Sequence, residues 1–201
     1  MPKKHTTSRR GFLRGAGLTT AGLAVSPLLK GQTPPPADPF TNPTATAVEL
    51  TVNGRTRKAT VESRATLADL LREDLNLTGT KVVCDRGACS CCTVYLNEIP
   101  VCSCLTLAVD ADGQDVTTIE GIANGEELHP VQQAFIDHDA TMCGFCTPGM
   151  VMSCVNLLKE NADPSLEDVK TATSGNLCRC GTYPKVFEAT LAAAKVESRR
   201  R

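Results

Sequence analysis

Eleven cysteines stand in a chain of 201 residues, and their spacing is the feature best able to do chemistry. Thiols close disulfides, ligate metals or exchange electrons, and the intervals between them discriminate among these roles. Cys84, Cys89, Cys91 and Cys92 form one run, with Cys102 and Cys104 shortly after it. Cys143 and Cys146 form a pair, as do Cys178 and Cys180, and Cys154 stands alone.

Cys84, Cys89 and Cys92 read C-x4-C-x2-C. That is the spacing of a plant-type [2Fe–2S] loop, which takes a fourth cysteine from further along the chain. Four thiolates must converge on two irons, so a loop has to wrap the cluster. Gly87 and Ala88 are small enough to let backbone N–H groups reach the sulfurs and tune the potential. By spacing, the fourth ligand is either Cys102 or Cys104.

Cys143-Gly144-Phe145-Cys146 and Cys178-Arg179-Cys180 form a second constellation. A C-x2-C pair alone fits a zinc knuckle, a redox dithiol or an iron–sulfur site. Here each pair sits just before a predicted helix, where free N–H groups and the positive dipole end favour thiolates and an anionic cluster. The balance favours iron–sulfur over zinc.

The remaining candidates read as structural. Cys154 is a small apolar residue on a predicted helix. Cys91 and Cys102 neighbour the ligand positions, which leaves alternative ligation or a mutual disulfide as expectations to check. His129 reads as a helix-start residue and His138 as an exposed helix-end residue. No Gly-rich phosphate loop and no recognisable Ser-His-Asp motif is present, so the chain supplies no catalytic residue of its own.

Composition narrows the classes further. Hydrophobic residues make up 41% of the chain and aromatics 3%, and the formal net charge is −1. That excludes a wholly disordered chain and gives neither the basic face nor the stacking platform of a nucleic-acid binder. Residues 1–30 hold six Lys/Arg and no Asp/Glu; without them 15 basic face 22 acidic groups, a net of −7.

Those first residues read as a targeting segment. Ser8-Arg9-Arg10-Gly11-Phe12-Leu13-Arg14 precedes a mildly apolar run from Gly15 to Leu29, the layout of an export signal. It resembles the bacterial twin-arginine signal, which carries folded proteins and so permits cofactor loading before export to the periplasm. The run is too short and too rich in Gly, Thr and Ala for a stable membrane span. Ala24-Val25-Ser26 is a weak cleavage candidate. Residues 31–47, with Pro34-Pro35-Pro36, Pro39 and Pro43, read as a linker or an extended arm.

Two textures follow. Val48, Leu50 and Val52 alternate with polar residues, then Asn53-Gly54 turns the chain into Arg57 to Val61, a β-hairpin. Leu67, Leu70, Leu71 and Leu75 fall at helical spacing with Thr66 as N-cap. Thr93 to Leu96 and Ile99 to Val101 predict a second hairpin around Asn97-Glu98, and Val116 to Ile119 a last strand. This is a small α+β domain over residues 48–119. Beyond it, Val131 to His138, Met150 to Leu158, Leu166 to Thr173 and Val186 to Val196 predict four helices, with Pro130, Pro148, Pro164 and Pro184 near their starts. They make a helical domain over residues 120–201, ending in a solvated Arg199-Arg200-Arg201 tail.

Several motifs together resemble the iron–sulfur subunit of the xanthine oxidase, or molybdenum hydroxylase, family. They are Gly79-Thr80-Lys81, the Cys84/Cys89/Cys92 loop with Thr93-Val94, Ser103-Cys104-Leu105-Thr106-Leu107-Ala108, Thr118-Ile119-Glu120-Gly121, His129-Pro130-Val131-Gln132, Cys143 to Gly149, and Gly175 to Gly181. The match runs in order over about Val48 to Ala194. With the export signal, the chain looks like the small subunit of the periplasmic aldehyde oxidoreductases.

The resemblance implies a β-grasp ferredoxin-like domain followed by a four-helix bundle, each with one [2Fe–2S] cluster. It assigns Cys84, Cys89, Cys92 and Cys104 to the first cluster and Cys143, Cys146, Cys178 and Cys180 to the second. It implies an electron-transfer subunit working with a large molybdopterin-binding subunit that oxidises an aldehyde or heteroaromatic substrate. An FAD-binding subunit or a cytochrome would be the acceptor. Three departures stand out. Met142 replaces the Gln that reaches the pterin, Val83 replaces a Gly, and Ser90-Cys91 replaces Gly-Ala in the cluster loop, where loss of Gly would strain a position that needs positive φ.

Two other classes compete. A free-standing two-cluster ferredoxin would purify alone with both clusters. A zinc or disulfide protein would be colourless and free of iron.

Overall fold

The computed structural model describes residues 45–200, with Arg200 described for its backbone only. The targeting segment and nearly all of the proline-rich stretch lie outside the described residues.

Alternating apolar residues build the first hairpin. Strand β1 (Ala45–Val52) buries Val48, Leu50 and Val52 and turns Glu49 outward. It pairs antiparallel with β2 (Arg55–Glu62). Asn53 and Gly54 both take positive φ, at 51° and 73°, as the tight turn that matches strand twist requires. The hairpin starts at Ala45, three residues before the alternation becomes visible at Val48, because Ala45-Thr46-Ala47 pair with Thr60 to Glu62 without an apolar pattern.

The predicted first helix is shorter and less regular than its leucines implied. Helix α1 (Leu67–Asp69) is a single turn that opens into a π-helical turn over Leu70–Asp74. Thr66 and Asp69 form the capping box that starts it, satisfying two N–H groups reciprocally. Leu67, Leu70 and Leu71 are buried against the sheet with Val61, Val94 and Val116.

Strands β3 (Thr93–Leu96) and β4 (Ile99–Cys102) form the second hairpin around Asn97-Glu98. Strand β5 (Asp115–Thr117) pairs parallel with β1 and antiparallel with β3, giving the mixed order β2-β1-β5-β3-β4. It ends at Thr117, not at Ile119. Ile119–Gly121 turn into a 3-10 helix where Thr118 bonds back to Asn53, its N–H on Oδ1 at 2.9 Å and its hydroxyl under Nδ2 at 3.0 Å.

Four helices follow: α2 (Pro130–Asp137), α3 (Thr147–Glu160), α4 (Leu166–Ala172) and α5 (Tyr183–Arg200). Helices α3 and α5 begin earlier than expected and enclose Pro148 and Pro184, since a proline in the first turn has no N–H to waste. Arg199 and Arg200 continue α5 rather than forming a tail. His129 caps α2 with Nδ1 accepting from the Val131 N–H at 3.2 Å, while Nε2 faces Glu197 at 3.5 Å. Ser165 and Asp168 form the box of α4.

The two halves share a core. Tyr95 of β3 is buried among Val131, Phe135, Met150, Met152 and Val155, and its hydroxyl donates to the Met152 carbonyl at 2.5 Å. Among the described residues no helix is long and apolar enough to cross a membrane.

Candidate metal centres

The loop from Cys84 to Cys92 is shaped by left-handed residues: Asp85 at φ 52°, Gly87 at 67° and Ser90 at 50°. Gly87 has a second constraint, since a Cβ there would come within 2.3 Å of the Leu105 side chain. This winding aims the Gly87 N–H at the Cys104 sulfur, 3.3 Å away. The strain expected at position 90 is present, and it is carried by a serine.

The thiols of this loop crowd together, with Cys91 also beside Cys89 and Cys102 beside Cys92. Cys84 is drawn down to about 7 by the Arg86 N–H and then by the Cys89 thiol beside it. Cys104 is pushed up to about 12 by burial, opposed by the Gly87 N–H and reinforced by the Cys92 thiol beside it. Cys92 and Cys104 are buried together against Ala68.

Cys102 and Cys104 differ in their surroundings. Cys102 is half-buried beside the group, its sulfur 3.8 Å from the Ser90 hydroxyl and 4.0 Å from the Gly87 carbonyl. Both thiols lie beside Cys92, and Cys104 also receives the Gly87 N–H. Cys91 and Cys102 are both free thiols. They face different partners, Cys91 the Leu177 carbonyl and Cys102 the Ser90 side chain, so the disulfide expectation finds no support.

The second group forms where two helix starts meet. Cys146 is the N-cap of α3, and Cys180 stands three residues before α5. Gly144 and Gly181, at φ 85° and 79°, turn the chain just after Cys143 and Cys180. Cys146 is pushed up to about 12 by burial and then by the neighbouring Cys178 thiol. Burial also opposes the Cys178 thiolate, but the Thr182 hydroxyl at 3.1 Å and N–H at 3.4 Å outweigh it and bring it to about 7. Cys180 is raised by the adjacent Cys143 side chain. This group is two pairs, Cys146 with Cys178 and Cys143 with Cys180. Cys143 and Cys180 are exposed, whereas Cys146 and Cys178 are buried.

Four or more gathered thiols with N–H and O–H donors on the sulfurs fit a two-iron group, which divides four thiolates between two metals.

The structure also shows residues that sequence reasoning passed over. Thr182 and Tyr183 act on Cys178, Tyr183 by accepting its N–H at 2.7 Å. Asn176, 3% exposed, donates to the Ser90 carbonyl at 3.2 Å. Gly149 lies so close to the first loop that a Cβ would meet the Ser90 carbonyl at 2.1 Å. Only the glycines and Asn176 carried a signal, through the motifs that contain them. Cys154 is buried, with the Thr190 hydroxyl on its sulfur at 3.1 Å, as a structural cysteine would be. His138 is half-buried at the end of α2 rather than exposed.

Residues 50–118 match a 2Fe-2S iron-sulfur cluster binding domain, and residues 118–191 match a second family described as a [2Fe-2S] binding domain. The chain is 45% identical over 161 residues to the nicotine 6-hydroxylase small subunit of Paenarthrobacter nicotinovorans, covering 80% of this chain and 93% of that one. It is 39% identical over 209 aligned positions to the aldehyde oxidoreductase iron-sulfur-binding subunit PaoA of Escherichia coli, covering 96% and 90%. Among solved structures, quinoline 2-oxidoreductase from Pseudomonas putida 86 superimposes with a TM-score of 0.74 at 43% identity, over 77% of this chain and 97% of that one.

Proposed function

Because the chain belongs to the iron–sulfur small subunits of the molybdenum hydroxylase family, we propose that eight of its thiols hold the two [2Fe–2S] clusters of that subunit. Cys84, Cys89, Cys92 and Cys104 hold the first, and Cys143, Cys146, Cys178 and Cys180 the second. The observation that carries this assignment is the gathering of these thiols into two separate groups, with the Gly87 N–H on the Cys104 sulfur and the Thr182 N–H on the Cys178 sulfur. When bound, the clusters supply one-electron carriers between a molybdopterin-bearing partner and an acceptor. The chain's own residues supply thiolates, N–H and O–H donors on the sulfurs, and docking surface.

The second group faces the molybdenum partner. Cys143 and Cys180 are exposed there, and Met142, Phe145 and Leu177 expose large apolar side chains around them at 68%, 57% and 55%. Exposed apolar patches of this kind mark interaction sites. Met142 meets the partner through a thioether, which is a weak acceptor and no donor. The first group faces the acceptor, an FAD-binding subunit or a cytochrome, past the exposed Leu105 and Val83.

The substrate class is an aldehyde or an N-heteroaromatic ring. The relatives are named for both: aldehyde oxidoreductases, and enzymes of nicotine, nicotinate and quinoline. Residues 1–30 act as a twin-arginine signal that sends the assembled complex to the periplasm. Supporting this, Arg9-Arg10-Gly11-Phe12-Leu13 stands directly before the mildly apolar run from Gly15 to Leu29.

Isolation of the native complex tests the reading. Co-purification with a molybdenum-containing subunit, from the periplasmic fraction, is expected. A lone 21 kDa species carrying both clusters would favour a free-standing ferredoxin and overturn it.

A further inference from the structure

Ser103 lies between two cysteines and pins them both to the first thiol loop. It is wholly buried. Its N–H donates to the Cys92 carbonyl at 3.3 Å, and its hydroxyl donates to the same carbonyl at 2.7 Å. Cys102 and Cys104 are therefore held one residue to either side of a fixed point on Cys92. Both sulfurs also reach the same residue of the loop. The Cys104 sulfur accepts the Gly87 N–H at 3.3 Å, and the Cys102 sulfur lies 4.0 Å from the Gly87 carbonyl. Cys102 packs, half-buried, against the buried Cys92 and Cys104, and the Cys92 thiol acts on both. The Ser90 hydroxyl stands 3.8 Å from the Cys102 sulfur.

We propose that Cys102 is a reserve fourth ligand of the first cluster, able to take the place of Cys104. The inference rests on the ligand assignment proposed above. Ser103 holds the backbone at Cys92 while the side chain on either side of it supplies the sulfur. One thiolate stands in for another, and such a site favours a thiolate over a hydroxyl or water. Cys102 gives up its S–H proton to solvent as its sulfur binds iron. No electron moves, and the site again has four thiolates. Cys91 is placed differently, with its sulfur turned to the Cys89 and Leu177 carbonyls, so the reserve is specific to position 102.

The test uses the intact complex with Cys102→Ala, Cys104→Ala, Cys104→Ser and the double variant Cys102→Ala with Cys104→Ala. Iron per chain, visible absorption and the EPR of the reduced clusters are recorded for each. Cys104→Ala is expected to keep about four irons and both [2Fe–2S] signals, with the first signal shifted in position. Cys104→Ser is expected to keep the absorption of an all-sulfur site, and Cys102→Ala to match the parent. The double variant is expected to fall to about two irons and lose the first signal. Loss of the first signal in both Cys104→Ala and Cys104→Ser would overturn the proposal and leave the ligand assignment standing. So would a blue-shifted, oxygen-ligated spectrum in Cys104→Ser. Loss of the first signal in Cys102→Ala alone would make Cys102 the native ligand and overturn both.

Discussion

The Leu177 N–H donates to the Cys89 carbonyl at 3.1 Å. This single backbone bond ties the loop of the first thiol group to the loop of the second, 88 positions away in sequence. Asn176 reinforces it from a buried position on Ser90, and Gly149 permits it by leaving room for the Ser90 carbonyl. The two cluster-binding halves are thereby held at a fixed separation, which a one-electron relay requires.

Ser90 occupies the left-handed region at φ 50°, a conformation that costs an ordinary L-residue about 1 kcal/mol. Its carbonyl is already used by Thr93 and Asn176, and its hydroxyl makes only a 3.8 Å contact with the Cys102 sulfur. Ser90→Gly should therefore stabilise the holo protein by roughly 0.5–1 kcal/mol, read as a rise in the urea midpoint at unchanged slope. A lower midpoint would mean that the hydroxyl matters more than the strain.

Gly149→Ala should act in the opposite direction. The new methyl would meet a backbone carbonyl at 2.1 Å, with no flexible side chain to give way. Overpacking of this kind costs about 1–3 kcal/mol and would part the seam. The expected result is a lower unfolding midpoint together with weakened magnetic interaction between the two clusters. Unchanged midpoint and interaction would show that the seam is looser than its geometry implies.

Thr182→Val removes the hydroxyl 3.1 Å from the Cys178 sulfur while leaving the N–H in place. Donors on a cluster sulfur favour the reduced, more negative state, so the potential of the second cluster should fall and that of the first should not move. In metal-free protein the same hydroxyl helps to draw the Cys178 thiol down to about 7. Its alkylation rate should then rise through about pH 7 in the parent and at higher pH in the variant. Identical profiles would remove Thr182 from the account.

Tyr95→Phe deletes the hydroxyl that donates from β3 to the Met152 carbonyl in α3. A buried hydrogen bond contributes about 1 kcal/mol net, and the ring packing and the Lys159 ammonium 4.7 Å above it remain. A loss of about that size in thermal or urea unfolding is expected, without loss of iron. A null effect would locate the union of the halves wholly in apolar packing.

Much of this was legible in the sequence because local rules carried it. Alternation gave β1, Asn53-Gly54 its turn, Thr66 the cap of the first helix, and the cysteine intervals the two groups, whereas the Ser165 cap of α4 passed unread. Element ends were less legible. Leu75 sits at helical spacing, yet the chain opens into a π-helical turn before it, because Leu70 and Leu71 follow the sheet rather than a regular helix. The seam was invisible, since it depends on a backbone carbonyl at Ser90 and a backbone N–H at Leu177, groups that every residue carries. Spacing did not separate Cys102 from Cys104 either. Their difference in surroundings, the Gly87 N–H on the Cys104 sulfur, follows from three left-handed residues that only the folded loop displays.

Iron and acid-labile sulfide per chain, measured with EPR on the reduced complex for the parent and Cys178→Ser, test the central claim most directly. The account predicts about four irons and two distinct [2Fe–2S] signals in the parent. Cys178→Ser should fall to about two irons and keep only the signal of the Cys84, Cys89, Cys92 and Cys104 site. Zinc without iron in the parent, or both signals intact in Cys178→Ser, would contradict it.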